Sequence, residues 1–423
     1  MKTKIINGNI IDVESNSVYK GTVFLKDGII EKVEKENNTQ KDDYEILDAQ
    51  GGYVAPGIFD MHVHFRDPGF EYKEDIKTGL RAAVAGGVTR TACMPNTKPV
   101  NDDPAITSYM VEKAKNLKLS ELYPIASITM GQKGETLTEM GLLKEAGAVA
   151  FSDDGLPVKN SDVMKRALEY VSRFNAPIIS HSEEKSVSGN GVINEGKVST
   201  LMGLLGIPAA AEEIMIARDL LLAGYTGSHM HIAHISTKGS VELVRWAKQR
   251  GFNVTAEVAI HHLTLTEEDL YKAGYDTDYK MNPPLRTSED VEALYQGLKD
   301  GTIDTIVTDH APHARVDKDI EFDKAPFGII GLQTLLPLSL TLFRKGILTL
   351  PEIFVKLSLN PSKILSLKGG VIKAGEPAYL TVFSLEKYLF TKEMIESKSK
   401  NSPFIGREME GKKLYTIVKD RIL

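Results

Sequence analysis

The sequence predicts an α/β protein, a (β/α)8 barrel of the TIM type with a small β-sandwich domain formed by both chain ends. Eight strand-like apolar runs alternate with amphipathic helical stretches through the middle of the chain, whereas both ends carry short strands without helices. All ten histidines also fall in the middle, between residues 62 and 313. Repeated βα units build a parallel sheet, and eight of them close it into a barrel.

Composition limits the class of protein. The 423 residues are 42% hydrophobic and 26% charged, which excludes disordered, collagen-like and coiled-coil chains. The net charge of −6 without a basic stripe predicts no nucleic-acid partner. No run approaches 18 apolar residues and no signal-peptide pattern opens the chain, so we expect no membrane association and a cytoplasmic location. The lone Cys93 leaves any metal to histidine and carboxylate ligands.

The chain ends have the alternating pattern of half-buried strands. Four such segments lie outside the barrel region: 4–11, 23–30, 379–383 and 414–420. Asn7-Gly8 and Asp27-Gly28 suit tight turns. We expect residues 1–54 and 366–423 to form one composite β-sandwich domain and residues 55–365 to form the barrel.

Eight predicted strands make up the barrel. In order they are 58–64, 88–94, 121–129, 148–153, 176–183, 229–236, 253–260 and 304–310. Helix signals separate several of them, for example Asp103 as an N-cap followed by Pro104, and Gly251 as a C-cap. An open doubly wound sheet is the alternative, but no Gly-x-Gly-x-x-Gly follows a first strand.

Histidines and aspartates gather at the carboxyl ends of these strands, the edge at which barrel enzymes carry their active sites. They are His62, His64, Asp153, Asp154, His181, His234 and Asp309. His62 and His64 are two apart on a strand, so both imidazoles can reach one cation. Imidazole and carboxylate are the usual ligands of zinc, and six such ligands, with one aspartate counted from the pair Asp153 and Asp154, exceed one tetrahedral site. This pattern predicts two metal ions with a bridging carboxylate and a water or hydroxide between them.

A water between two metal ions suits hydrolysis. Metal binding lowers the pKa of water from about 15.7 toward about 7, so hydroxide becomes available near neutral pH. Asp309 can ligate a metal and also hydrogen-bond the hydroxide. It is therefore the candidate to take the proton and pass it to a leaving nitrogen.

Several motifs resemble those of class I dihydroorotases, members of the amidohydrolase superfamily. They lie at residues 57–69, 94–97, 151–155, 281–286, 309–314 and, near the C-terminus, 401–404 (Asn-Ser-Pro-Phe). The resemblance runs over essentially the whole chain. It implies hydrolytic ring opening of dihydroorotate and, in pyrimidine synthesis, the reverse closure of N-carbamoyl-L-aspartate.

The resemblance also implies residue roles. Two zinc ions per subunit would be held, one by His62, His64, Asp154 and Asp309, the other by Asp154, His181 and His234. Substrate contacts would come from His64, Arg66, Asn96, Asn282, His313 and the backbone at Phe327 and Gly328. Among these, Arg66, Asn96 and His313 would grip the carboxylate, for which a guanidinium fork is chemically suited. The resemblance further implies a homodimer and possible association with another enzyme of the pathway.

Two choices stay open at this stage. Motif alignment favours Asp154 as the bridge, and strand parity turns Asp153 toward the side of Val149 and Phe151, which should pack against helices. Residues 147–154 contain no lysine, which separates the chain from hydantoinases, dihydropyrimidinases and allantoinases with a carboxylated lysine bridge.

Another cyclic amidase of the superfamily and a non-catalytic scaffold subunit remain the alternative functions. The sequence also departs from the usual Thr-Pro-His-His pattern, because Ala259-Ile260 precedes His261.

Other polar positions receive structural interpretations. His229 and His231 have parity opposite to His234 and are expected to face the helices. Glu183 is expected in a solvated loop or helix cap. Seven of the thirteen residues in 314–326 are charged, so this segment is expected to bury little apolar surface and to act as a mobile lid over the ligand.

Overall fold

The computed structural model describes residues 2–40 and 43–423. Within these ranges the strands are β1 (Lys2–Asp12), β2 (Ser17–Lys26), β3 (Ile29–Glu34), β4 (Glu45–Asp48), β5 (Tyr53–Pro56), β6 (Ile58–Val63), β7 (Val88–Cys93), β8 (Glu121–Ala126), β9 (Ala150–Ser152), β10 (Ile178–Ser180), β11 (Ile193–Asn194), β12 (Gly206–Ile207), β13 (Met230–Ile232), β14 (Val254–Ala259), β15 (Thr305–Val307), β16 (Tyr379–Leu389), β17 (Glu408–Val418) and β18 (Arg421–Ile422).

The α-helices in the same ranges connect and flank these strands. They are α1 (Ile76–Ala85), α2 (Pro104–Leu117), α3 (Met140–Glu145), α4 (Ser161–Val171), α5 (Lys185–Ser188), α6 (Lys197–Met202), α7 (Ala209–Thr226), α8 (Lys238–Gln249), α9 (Glu267–Ala273), α10 (Ser288–Lys299), α11 (Arg315–Lys318), α12 (Leu335–Arg344), α13 (Leu350–Phe354) and α14 (Asn360–Ile364).

The predicted barrel is present. Its parallel strands neighbour one another in the order β6, β7, β8, β9, β10, β13, β14, β15. The two edge strands then meet, since Val63 bridges to His310 and the His64 N–H donates to the His310 carbonyl at 2.9 Å. This closure excludes the open doubly wound sheet.

Burial of the strands and capping of the helices explain why strands and helices alternate along the barrel. Every residue of β6 and β7 is buried, as expected of parallel strands covered on both faces. Helix α4 begins at the Asn160 cap, whose side chain accepts from the N–H groups of Asp162 and Val163. Its buried positions recur at helical spacing and pack against the barrel: Met164, Ala167, Leu168 and Val171.

The chain ends build a second, mixed sheet, as the sequence predicted. Its order is β18, β17, β16, β5, β1, β2, β3, with β4 paired to β1. The antiparallel pairing of β5 with β16, in which Val54 lies opposite Val382, joins the two ends. This sheet has its own apolar core, which includes Ile5, Ile10 and Leu380. The division of the chain at residues 54 and 366 stays a prediction.

The barrel strands are shorter than predicted. Strand β10, for example, covers Ile178–Ser180 rather than 176–183, and β15 covers Thr305–Val307 rather than 304–310. Apolar and polar residues beyond the last ladder bond are still buried, His181 and Asp309 among them, so burial alone did not mark the strand ends. His62 lies within β6, and the other predicted metal ligands lie on the loops that follow the strands.

In residues 2–40 and 43–423, no helix has both the length and the apolar character needed to cross a membrane.

Candidate active site

The six predicted metal ligands meet at the carboxyl ends of five barrel strands. His62 lies in β6 and His64 directly follows it, whereas Asp154, His181, His234 and Asp309 lie in the loops after β9, β10, β13 and β15. All six are buried. Two sets of three have ligand atoms within 4.8 Å of one another, namely His62, His64 and Asp309, and His62, Asp154 and His234.

Asp154 lies at the centre of the cluster. Its Oδ1 is 3.5 Å from His62 Nε2, 3.4 Å from His181 Nδ1 and 3.7 Å from His234 Nε2. Its Oδ2 is 3.6 Å from His64 Nε2. One carboxylate thus faces all four histidines, which is the position a bridging ligand requires.

Asp153 points elsewhere. Its carboxylate accepts hydrogen bonds from the backbone N–H groups of Ile128 and Thr129 and from the Thr129 hydroxyl. It thereby fixes the loop that follows β8 and contacts none of the clustered histidines. Of the two aspartates, the geometry favours Asp154 as the bridge.

Two buried atoms in the centre have no protein partner among the described residues. His62 Nε2 and Asp154 Oδ1 face each other at 3.5 Å, and neither makes a hydrogen bond. A buried donor or acceptor without a partner is costly, typically about 1–3 kcal/mol. Nitrogen and carboxylate oxygen atoms aimed at a common centre are the donor set that a zinc-like ion takes. The residues present therefore fit a metal centre.

The charges of the cluster favour a cation. Burial opposes the charged form of His62, but Glu257, Asp309 and Asp154 raise its pKa well above the ordinary value. The pKa of His181 rises to about 9, because Asp154 and Glu183 outweigh burial. Burial likewise opposes the charge of Asp309, yet His62 and His64 hold its pKa at about 2. The carboxylates stay ionised, so the centre attracts positive charge.

Glu257 is a site residue that the sequence analysis missed. This fully buried residue of β14 places Oε1 2.5 Å from His62 Nδ1 and Oε2 3.0 Å from His231 Nε2. A carboxylate on the second nitrogen of a ligating histidine fixes its tautomer and orientation. A glutamate inside an otherwise apolar strand was the available signal, since a buried charge needs a partner.

The expectation that His231 faces the helices is wrong. Its ring contacts Glu257 and therefore lies on the same side as His62. Strand parity fails because β13 ends at Ile232 and His234 has a left-handed φ of 29°, which breaks the alternation between positions 231 and 234. Left-handed φ values also occur at Arg66 (60°) and Asp309 (46°). Such backbone strain in non-glycine residues is typical of functional sites.

The expectation of a solvated Glu183 is also wrong. The residue is buried, and its Oε2 lies 2.9 Å from Asn282 Nδ2, 2.5 Å from Lys185 Nζ and 3.6 Å from His181 Nε2. These contacts hold the pKa of its carboxyl far below the usual range even though burial opposes the charge. The spacing His181-x-Glu183 repeats that of His62-x-His64 and could have placed both side chains on one face.

A cavity of about 340 Å³ opens above the cluster. It is lined by the predicted substrate contacts His64, Arg66, Asn96, Asn282, His313, Phe327 and Gly328, together with Asp154, His181, His234 and Asp309. Every predicted site residue except His62 therefore lines this cavity, and His62 lies fully buried with its Nε2 3.5 Å from Asp154 Oδ1.

The predicted carboxylate clamp forms one wall of this cavity. Arg66 Nη2 lies 3.4 Å from His313 Nε2, and Arg66 Nε donates to the Pro312 carbonyl at 3.3 Å. Asn96 Oδ1 is 2.9 Å from His64 Nδ1. Burial and the positive charges of Arg66 and Lys73 lower the pKa of His313 far below its usual range, so its ring is neutral beside the guanidinium.

Asn282 and the loop at Phe327 and Gly328 also line the cavity. Asn282 donates to Glu183, which leaves its side-chain oxygen as the free acceptor. The Gly328 N–H donates to the Lys280 carbonyl at 2.9 Å, and the Gly328 carbonyl accepts from Lys318 Nζ at 3.1 Å. The Gly328 peptide groups are therefore bound to the protein itself and shape the wall.

The expectation that residues 314–326 bury little apolar surface is wrong. Phe322 and Ala325 are 4% and 2% exposed, and Phe322 packs with a small apolar cluster that includes Leu270. Two lysines tie the segment down, because Lys318 donates to the carbonyls of Pro326 and Gly328 and Lys280 to those of Phe322 and Asp323. The expectation rested on composition alone, which does not show that a lysine can be buried when its ammonium group donates to backbone carbonyls.

Comparison with known proteins agrees with this geometry. A family model described as "Dihydro-orotase-like" matches residues 51–240. A dihydroorotase of Geotalea daltonii is 51% identical over 424 residues, covering 100% of this chain and 99% of the relative. A dihydroorotase of Syntrophotalea carbinolica is 49% identical over 423 residues, with coverage of 100% and 99%.

Solved structures share the fold. An L-hydantoinase (dihydropyrimidinase) from Arthrobacter aurescens superimposes with a TM-score of 0.88 at 24% identity, covering 99% of this chain and 95% of its own. A dihydropyrimidinase from Brevibacillus agri gives a TM-score of 0.84 at 20% identity, with coverage of 100% and 95%.

The barrel, the sheet built from both chain ends and the His/Asp cluster define an amidohydrolase-type enzyme that acts on cyclic amide bonds. About half of the residues are identical to those of the two dihydroorotases over the full length of the chain. This identity narrows the class of enzyme to one family. The chain belongs to the dihydroorotase family.

Proposed function

We propose that the protein is a zinc-dependent dihydroorotase, which opens (S)-dihydroorotate to N-carbamoyl-L-aspartate and closes the ring in the reverse direction for pyrimidine synthesis. The observation that carries this proposal is the common cavity, which is lined by five of the six predicted metal ligands together with Arg66 and His313. A cyclic amide with an attached carboxylate fits a cavity that offers both a metal centre and a guanidinium.

Two zinc ions per subunit would be held by the clustered side chains. His62, His64, Asp154 and Asp309 would bind one ion, and Asp154, His181 and His234 the other. When bound, the ions supply Lewis-acid polarisation and a water activated for attack near neutral pH. Glu257 and Asn96 orient His62 and His64 through their second ring nitrogens at 2.5 and 2.9 Å.

Asp309 would move the proton. Its carboxylate is 3.0 Å from His64 Nε2 and 3.6 Å from His62 Nε2, and its pKa of about 2 keeps it ionised and able to accept a proton. A base at this position can take the proton of the attacking water and return it to the ring nitrogen that leaves. In the reverse reaction the same proton travels the opposite way.

Arg66, Asn96 and His313 would bind the substrate carboxylate, and Asn282 would accept from a ring N–H. The Arg66 guanidinium supplies two parallel donors, which suit a carboxylate better than a single ammonium would. Because Asn282 uses its NH2 group on Glu183, its oxygen is the atom offered to the ring. This polarity matches the N–H groups of a cyclic ureide.

An assay of the purified, zinc-loaded chain tests the proposal. Dihydroorotate ring opening is followed by absorbance, with dihydrouracil, the same ring without a carboxylate, as the matched substrate. We expect turnover of dihydroorotate and a kcat/KM at least 100-fold lower for dihydrouracil, because Arg66 would then lack a charged partner. Equal turnover of both rings would favour the hydantoinase-like alternative, and no turnover of either would favour a scaffold subunit.

The proposal includes a cytoplasmic homodimer and association with another enzyme of the same pathway. The cytoplasmic location rests on the sequence pattern, and the dimer and the association with another enzyme rest on the resemblance to the family.

A further inference from the structure

The segment 397–404, which we call the rim segment, lies across the active-site edge of the barrel although it belongs to the C-terminal part of the chain. It contains the Asn-Ser-Pro-Phe motif, for which the proposed chemistry has no use. Ser397 bonds to Glu74, and Ser399 Oγ donates to the Lys73 carbonyl at 2.6 Å. Lys73 in turn places Nζ 3.2 Å from His313 Nδ1. The rim segment thus contacts the surroundings of the substrate wall.

Asn401 makes the central contacts of the rim segment. Its Oδ1 accepts from the His313 N–H at 3.1 Å, and its Nδ2 donates to the carbonyls of Ala311 and Gly328, both at 3.0 Å. Its own carbonyl accepts from the Ile330 N–H at 3.0 Å. The residue is 4% exposed, so these bonds are shielded from water.

These bonds join the two loops that contact substrate in the proposed function. The loop after β15 and the loop that contains Gly328 pair briefly, where His310 bridges to Ile329 and the Ala311 N–H donates to the Ile329 carbonyl. Beyond this point Asn401 links the Ala311 carbonyl and the His313 N–H of one loop to the Gly328 carbonyl of the other. Between the two loops, the NH2 group of the Asn401 side chain donates and its oxygen accepts, as the N–H and C=O of a backbone peptide group would.

We infer that Asn401 is a positioning residue for substrate binding, which sets the distance between His313 and the Phe327–Gly328 wall. The inference rests on the proposed function for the identity of the ligand. The side-chain hydrogen bonds of Asn401 go to Ala311, His313 and Gly328, which line the cavity, and to none of the six predicted metal ligands. Its loss should therefore weaken binding of the carboxylate-bearing ring while the metal centre stays intact.

Asn401→Asp is the sharpest variant because it keeps the size of the side chain. Oδ1 can still accept from His313, but a carboxylate oxygen then faces the carbonyls of Ala311 and Gly328 without a proton. Asn9→Asp is the matched control, since Asn9 Nδ2 also donates to two backbone carbonyls, those of Gly51 and Gly52, in the sheet built from the chain ends. Asn401→Ala, which adds no charge, serves as a second variant if the aspartate does not fold.

The first measurement is backbone hydrogen exchange of the metal-loaded protein without substrate. For Asn401→Asp we expect exchange in residues 311–330 to accelerate at least tenfold, with no such change in Asn9→Asp. Metal content should equal that of the wild type in both variants. Unchanged exchange in 311–330, or loss of metal in Asn401→Asp and Asn401→Ala, would overturn the inference.

The second measurement is steady-state kinetics with dihydroorotate. We expect KM to rise at least tenfold in Asn401→Asp with kcat within about threefold of the wild type, and both values to stay within twofold in Asn9→Asp. A kcat loss without a KM change would assign Asn401 to the chemical step and contradict positioning. Wild-type protein without any turnover would refute the proposed function, whereas the exchange result tests the loop contacts independently of that outcome.

Discussion

Asp309 combines two properties that a proton-transferring residue in this site needs. It is buried beside His62 and His64, and its pKa of about 2 leaves the carboxylate ionised at neutral pH. Its left-handed backbone, with φ of 46°, turns the side chain toward the cluster immediately after β15 ends. The position is strained, which is typical of residues held in place for function.

Asp309→Asn should reduce kcat about 100-fold or more, because the amide cannot take up a proton from water at neutral pH. The fold and most of the metal binding should remain, as measured by thermal unfolding and metal analysis. Asp304→Asn is the control at the opposite end of the same strand, where Asp304 contacts Lys248 at 2.6 Å. Turnover of Asp309→Asn near the wild-type value would show that another group moves the proton.

The variant Glu257→Gln tests whether Glu257 holds His62 in position for metal binding. The amide removes the buried negative charge that lies 2.5 Å from His62 Nδ1, and a lost outer partner of this kind typically weakens metal binding about 10- to 100-fold. Chelator competition measures this affinity directly. Glu121→Gln, which removes a carboxylate bonded to Tyr123 and Tyr379 at the other end of the barrel, should leave the affinity within about threefold.

Equal affinities in the two glutamate variants would reduce Glu257 to a core-packing residue. The same would follow if Glu257→Gln lowered the melting temperature but did not change the metal affinity.

At the residue scale, the gathering of these histidines and aspartates in one cluster could be predicted, because they follow strand ends in a repeated pattern. The orientation of individual side chains could not. Parity rules assume an extended backbone, and the left-handed φ at His234 reverses the prediction for His231. The contacts of Glu183 and Glu257 involve partners 99 and 195 residues away in the chain, a separation at which sequence spacing carries no signal.

At the element scale, the segment 314–326 is a folded wall with one accessible end. Helix α11 begins at Arg315, whose side chain is 72% exposed, whereas Lys318 is 2% exposed and bonded to backbone carbonyls. The predicted lid therefore has little freedom around Lys318 and Phe322. Any movement on ligand binding should concentrate at its beginning, near Arg315.

Limited trypsin digestion tests this segment. Cleavage after Arg315 should proceed in the free, metal-loaded protein and slow at least fivefold with saturating dihydroorotate or a carboxylate analogue, because bound ligand would contact the adjacent His313. Cleavage after Lys318 should be slow in both states. Identical rates at Arg315 with and without ligand would make the segment a fixed wall and end its interpretation as a lid.

At this scale the eight barrel strands were predicted in number and order but not in length. Residues 181–183 stay buried beyond β10, so burial continues past the last hydrogen bond of the strand. The start of α2 was easier to place, since Asp103 followed by Pro104 marks where backbone N–H groups need a partner.

At the scale of the whole molecule, the six converging ligands should bind close to two divalent ions per chain, as determined by elemental analysis after purification without chelators. Because Asp154 rather than a lysine lies at the centre, no carbamate has to form. Reactivation of the metal-free protein by zinc should therefore be independent of bicarbonate. Reactivation that requires bicarbonate, or full activity with no bound metal, would contradict this assignment.

The architecture of the whole molecule was predictable because it repeats. Eight βα units share one active-site edge, so an error in the predicted bounds of a single strand does not change the predicted fold. The barrel and its cavity could therefore be predicted from the pattern alone. The contribution of Asn401 was not predictable in this way. Its partners, Ala311 and Gly328, lie 90 and 73 residues away, and only the motif hinted that the C-terminal part of the chain reaches the site.

The pairing of β5 with β16 has a consequence for biosynthesis. Val54 leaves the ribosome 328 residues before its partner Val382. At roughly 5–20 residues per second, this interval is on the order of tens of seconds. Until then the nascent chain presents one edge of β5 without a partner, and an unpaired edge can associate with other chains. Translation that stops before residue 401 leaves a chain without the amide that joins the loops at Ala311 and Gly328, so the site is complete only after residue 401 has been synthesised.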